Sequence, residues 1–95
     1  EELVILFPGY EEAAVASILE AIREGVEALA IPHERNLPWR CVTLSLGYAT
    51  TGVGHEMTVD QLMIAADTAL YAAKNSGRNA MKSHATCLVD AYAQA

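Results

Sequence analysis

Glu1 and Glu2 stand side by side ahead of an apolar run, and Lys74 and Arg78 stand four residues apart around Gly77. Adjacent carboxylates can hold Mg²⁺ together with nucleotide phosphates. The small, hard ion takes one or two protein oxygens and completes its shell from phosphate and water. Cations four positions apart on a helix share a face and could neutralise one anion. Each pattern also has a plain structural reading. Glu1-Glu2 can be a solvated chain end, and Lys74 and Arg78 can offset the negative end of a helix dipole. Helix N-termini are the favoured anion sites, so residue types and spacing alone do not assign a phosphate here. Asp67, set among Ala65, Ala66 and Ala69, lies near an apolar stripe and reads as a hydrogen-bond partner rather than a catalyst.

Composition narrows the classes. The 95 residues suffice for one domain at most, and 53% of them are hydrophobic, too many for intrinsic disorder. That share is high for a small free-standing domain and hints at surface meant for another segment or chain. The net charge of −6 argues against nucleic-acid binding, which wants a basic face. Three of the six bases, Lys74, Arg78 and Lys82, fall close together and leave room for one small anion. No apolar run approaches the length of a membrane span. Without an initiator Met, position 1 reads as an internal position of a longer chain. Cys41 and Cys87 form no paired motif and fit reduced thiols in a cytoplasmic protein. His33, His55 and His84 lack metal-ligand spacing.

The elements that must position these residues follow from period and punctuation. Leu3-Val4-Ile5-Leu6-Phe7, stopped by Pro8-Gly9, predicts a strand buried on both faces. Over 11–29, Val15, Ile18, Leu19, Ile22, Val26 and Leu29 make one helical stripe, with Glu20, Arg23, Glu24 and Glu27 turned to water. Val42, Leu44, Leu46 and Tyr48 alternate with Thr43, Ser45 and Gly47, a strand whose second face carries only small groups. Something must pack or bind closely against that face. Thr58-Val59-Asp60-Gln61 is a capping box opening a second helix, whose predicted buried stripe is Val59, Leu62, Met63, Ala66, Leu70 and Ala73. Gly77 ends it. Residues 79–82 predict a short strand, and helical spacing recurs over 85–92. Two strand–helix–strand crossovers follow.

Three stretches resemble one known family. Glu1-Glu2-Leu3-Val4-Ile5-Leu6-Phe7-Pro8 is similar to the last three letters of a GG(D/E)EF motif with its apolar strand and proline. Val42-Thr43-Leu44-Ser45-Leu46-Gly47 is similar to the family's V-T-x-S-x-G strand. The run from Ala66 to Asn79 matches A-D-x-A-L-Y-x-A-K-x-x-G-R-N, a long and specific signature. The chain thus resembles the C-terminal half of a GGDEF domain, the bacterial diguanylate cyclase module, over residues 1–82, with 83–95 as a tail outside the pattern. Leu3 stands where the family usually has Phe, a mild change in an apolar slot.

The resemblance implies an α+β fold, half of a ferredoxin-like palm, with an incomplete sheet. The family's first strand runs between those matching residues 3–7 and 41–48. Its absence here predicts association with another chain, in a homo-oligomer or with the missing sheet segment, or a rearranged pairing. The family condenses two GTP into cyclic di-GMP in cytoplasmic signalling. By resemblance, Glu1 binds Mg²⁺ and activates the attacking hydroxyl, Glu2 is a second catalytic acid, and Lys74 and Arg78 hold the terminal phosphates. The paired glycines, a further metal-binding aspartate and the guanine-reading residues lie outside these 95 positions, so the chain alone is expected to be inactive. An alternative is a non-catalytic GGDEF-like module for nucleotide sensing or protein association. A third is a structural α/β piece with no ligand.

Overall fold

The computed structural model describes residues 1–52 and 56–85. Its elements are α1 (Glu12–Ala28), β1 (Leu46–Tyr48), α2 (Val59–Asn75) and β2 (Met81–Ser83). β1 and β2 pair in parallel, with Leu46 opposite Met81 and Tyr48 opposite Ser83. The crossover between them is α2, which packs on both strands. The α+β class and the open, partial sheet agree with the expectation. The helical spacing of 85–92 falls, beyond Ala85, outside the described residues.

α2 forms where its local signals put it. The Thr58 hydroxyl accepts from the Gln61 amide at 3.1 Å, and the Gln61 side chain accepts from the Thr58 amide at 3.0 Å. Two of the orphan donors of the first turn are thereby satisfied. Thr58→Ala should remove one of these bonds and lower stability by about 1 kcal/mol, a fall in melting temperature of about 4–8 °C for a domain of this size. Thr58→Ser should hold close to wild type. Equal melting temperatures for the Ala variant and wild type would show that the cap contributes nothing.

Gly47 explains the small-residue face of β1. A β-carbon placed on it would lie 2.0 Å from the Leu70 amide nitrogen and 2.6 Å from the Ala66 carbonyl oxygen. The backbones of β1 and α2 therefore meet where only glycine fits. The close packer inferred from the alternation is α2 itself.

The buried line of α2 is Ala65, Ala69 and Ala73, which corrects the predicted stripe. Of that stripe only Ala73 is buried. Leu62, Ala66 and Leu70 are half-buried, and Val59 and Met63 are exposed. Close approach of the helix to the sheet selects the alanines, while the larger side chains face an open groove. In α1, Val15 and Leu19 are buried, Ile18, Ile22 and Val26 are half-buried, and Leu29 is exposed.

Residues 3–7 form no ladder, so the predicted first strand is absent. Leu3 is 90% exposed and Leu6 72%. A strand needs a partner for its amides, and among the described residues the sheet consists of β1 and β2. The segment lies instead along a groove of about 280 Å³, shared with Val15 and Leu19 of α1, Leu46 of β1, and Leu62 and Leu70 of α2. The expected crossover through α1 disappears with that strand, and among the described residues no rearranged pairing takes in the 3–7 segment. The predicted strand over 42–48 shortens to Leu46–Tyr48. Upstream of it the Asn36 side chain donates to the Cys41 carbonyl and the Thr43 hydroxyl.

Candidate functional site

The C-terminal end of α2 carries the two cations singled out above. The helix closes on Ser76, and the Gly77 amide donates to the Lys74 carbonyl at 3.4 Å while the Arg78 amide donates to Ala73 at 3.2 Å. This doubled bond pattern requires a left-handed residue just past the cap, and Gly77 takes it at φ 111°. Lys74 lies inside the last turn, whereas Arg78 lies beyond the glycine. The turn redirects Arg78, so the i, i+4 spacing does not place both cations on one helical face.

Lys74 reaches the acidic pair. Its Nζ is 3.5 Å from Glu2 Oε2, a contact between residues 72 positions apart. Both side chains are partly exposed, so the pair contributes little stability by itself. It does bring a cation and a carboxylate together at the mouth of the groove, which Glu2 lines. Glu1 and Arg78 are exposed, and neither makes an ion pair or side-chain hydrogen bond among the described residues. Lys82 sits in β2, opposite Gly47. Asp67, expected to be a satisfied polar group near the core, is exposed at the groove rim and has no side-chain hydrogen bond among the described residues. The buried alanine line turns it outward.

No group of three or more His, Cys, Asp or Glu side chains gathers among the described residues. Glu1 and Glu2 nevertheless suit a Mg²⁺ ion that draws most of its shell from nucleotide phosphates and water, because such an ion takes only one or two carboxylates from the protein.

Arg23, expected in water with its acidic neighbours, is instead largely covered. Its side chain is only 16% exposed. It binds the Glu20 carboxylate through Nε and Nη2, and its Nη1 donates to the Asn79 side-chain oxygen at 2.8 Å. Glu27 lies 3.6 Å away. The hydrogen bond from Arg23 holds the Glu20 carboxyl below the ordinary carboxylate range; desolvation opposes it, and the Arg23 charge then adds to the lowering. The acids at 20, 24 and 27 around one arginine were a visible signal, but its partner at 79 was not.

The comparisons agree with the residue pattern. No curated protein and no solved structure matches the chain. The family model described as diguanylate cyclase, GGDEF domain, matches residues 1–80. That match takes in the acidic pair, the β1 strand and the whole signature ending at Asn79, and on it the chain belongs to the GGDEF family of diguanylate cyclases.

Proposed function

We propose that these residues hold the triphosphate of GTP, and part of its Mg²⁺ shell, in a domain that condenses two GTP into cyclic di-GMP. The contact of Lys74 with Glu2 carries this reading, because it joins the signature's lysine to the acidic pair across most of the chain. Lys74 and Arg78 neutralise the terminal phosphates of one nucleotide. Glu1 takes the proton from the attacking 3′-hydroxyl, and Glu2 supports it while restraining Lys74. A bound Mg²⁺, held by Glu1 and the phosphates, would neutralise charge on the transferring group. The α-phosphorus under attack belongs to a second nucleotide, whose bond to the β-phosphate breaks so that pyrophosphate leaves as the new ester forms, and two such domains must face each other to supply proximity.

Taken by itself, the 95-residue chain should bind GTP and make no cyclic di-GMP. Glu1 and Glu2 both lie outside the two-stranded sheet; Glu1 has no ion pair or side-chain hydrogen bond among the described residues and Glu2 has one partly exposed ion pair, short of the positional tolerance that catalysis requires. The test is purified chain with GTP and Mg²⁺ beside a Glu1→Ala control. No product in either is expected, and product above the control would overturn this part of the reading.

A second reading, an association module without catalysis, is favoured by the exposed Leu3, Val4, Ile5 and Leu6. Contiguous apolar surface of this kind marks interaction sites. In either reading the groove face should draw copies together. Sedimentation across a hundredfold concentration range should show mass rising above that of a monomer. A monomer throughout would contradict association.

A further inference from the structure

We propose that Arg23 is a positioning residue for Arg78: by binding Asn79 it holds the turn after α2 in the left-handed conformation that sets where the Arg78 side chain points. The inference rests on the reading that Arg78 contacts phosphate. Three consecutive residues in this turn have positive φ, Gly77 at 111°, Arg78 at 64° and Asn79 at 43°. Glycine adopts such angles freely and asparagine tolerates them, but an arginine there is strained and needs its surroundings to hold it. The bonds that close α2 restrain the chain up to the Arg78 amide. On the far side, the ladder resumes only where the Leu46 amide donates to the Ala80 carbonyl. Between these anchors lies Asn79, and Arg23 grips it twice, at its side-chain oxygen (2.8 Å) and at its backbone carbonyl (3.5 Å).

Arg23 is itself aimed. Glu20 takes its Nε and Nη2, and Glu24 and Glu27 lie 3.9 and 3.6 Å away. A planar guanidinium held on one edge by a carboxylate presents its remaining donors in a fixed direction, which a lysine cannot reproduce. The acidic surface of α1 thus serves as a mount for the turn rather than only as a solvated face. Arg78, left without a partner among the described residues, is the side chain that this mount delivers.

The test measures GTP affinity, in the presence of Mg²⁺, for the full chain and for Arg23→Ala, Arg23→Lys, Asn79→Ala and Arg78→Ala, alone and in the Arg78→Ala background. Arg23→Ala and Asn79→Ala should each weaken binding about fivefold, Arg23→Lys should not restore it, and neither loss should persist once Arg78 is gone. A purely structural role lowers the melting temperature and leaves the affinity of the folded chain alone. Unchanged affinity in Arg23→Ala while Arg78→Ala binds weakly would overturn the proposal. So would a loss that persists without Arg78. If Arg78→Ala binds GTP like wild type, the phosphate reading itself has failed. The carbon chemical shifts of Arg78 and Asn79 then report on the mount directly. Shifts that move in Arg23→Ala support it, and unmoved shifts overturn it.

Discussion

Replacing Gly47 with alanine is expected to abolish cooperative folding at room temperature. The added methyl would lie 2.0 Å from the Leu70 nitrogen, 2.5 Å from the Leu70 α-carbon and 2.6 Å from the Ala66 oxygen. All three are backbone atoms, so no side-chain rotation relieves the clash. The helix must back away from β1, and the alanine line at 65, 69 and 73 then loses its packing. Overpacking of a tight core costs about 1–3 kcal/mol when side chains can adjust, and more when they cannot. A chain of this size has little stability to lose. Circular dichroism should show Gly47→Ala losing its sigmoidal urea transition, while Gly25→Ala, where an added β-carbon meets nothing within 4 Å, keeps it. A Gly47→Ala variant with an unchanged midpoint would mean that α2 does not lie on β1 in this way.

Lys74→Ala and Arg78→Ala should each weaken GTP binding about tenfold, the loss expected for one charge-assisted contact of about 1.5 kcal/mol. Both cations are partly or fully exposed, so the penalty should shrink as salt rises and the screening length falls from about 10 Å at 0.1 M toward about 3 Å at 1 M. The two differ in one respect. Removing Lys74 also frees Glu2 from its 3.5 Å partner, so Lys74→Ala should raise repulsion between Glu2 and the incoming phosphates. Lys82→Ala, in β2 and outside the signature matched over 66–79, should bind within about twofold of wild type, as a solvent-screened charge does. If Lys74 and Arg78 serve only as helix-end charges, the variants lose a little stability to the altered dipole interaction and bind GTP as wild type does. Calorimetric titration separates these outcomes, provided affinities are compared on folded protein.

Much of this arrangement is legible in the sequence wherever the signal is local. The Thr58–Gln61 capping box and the Gly77 stop bracket α2, because both depend on bonds within a few residues. The small face of the strand ending in Gly47 announces a close packer, because the alternation of period two places its residues on one side. What depends on distant partners is not legible. The run 3–7 has the composition of a buried strand, yet a strand exists only where another strand satisfies it, and no residue type in the run reports that none does so among the described residues. The alanine line of α2 hides behind its larger neighbours, because hydrophobicity ranks leucine over alanine while close helix–sheet approach ranks them the other way. Arg23 sits where the helical period sends side chains to water, and its partner lies 56 positions downstream. The link between Glu2 and Lys74 spans 72 positions, and no local signal reports it. The candidate site is therefore visible in the sequence as residues, and its geometry is visible only in the fold.

Whether the end of α2 and the acidic pair together receive the GTP triphosphate can be read from backbone amide spectra of the chain during titration with GTP and Mg²⁺. Saturable shifts should concentrate at residues 2–4 and 74–79 and be abolished together in the Lys74→Ala, Arg78→Ala double variant. Spectra that do not move up to millimolar GTP, or shifts confined to residues 30–41, would contradict it.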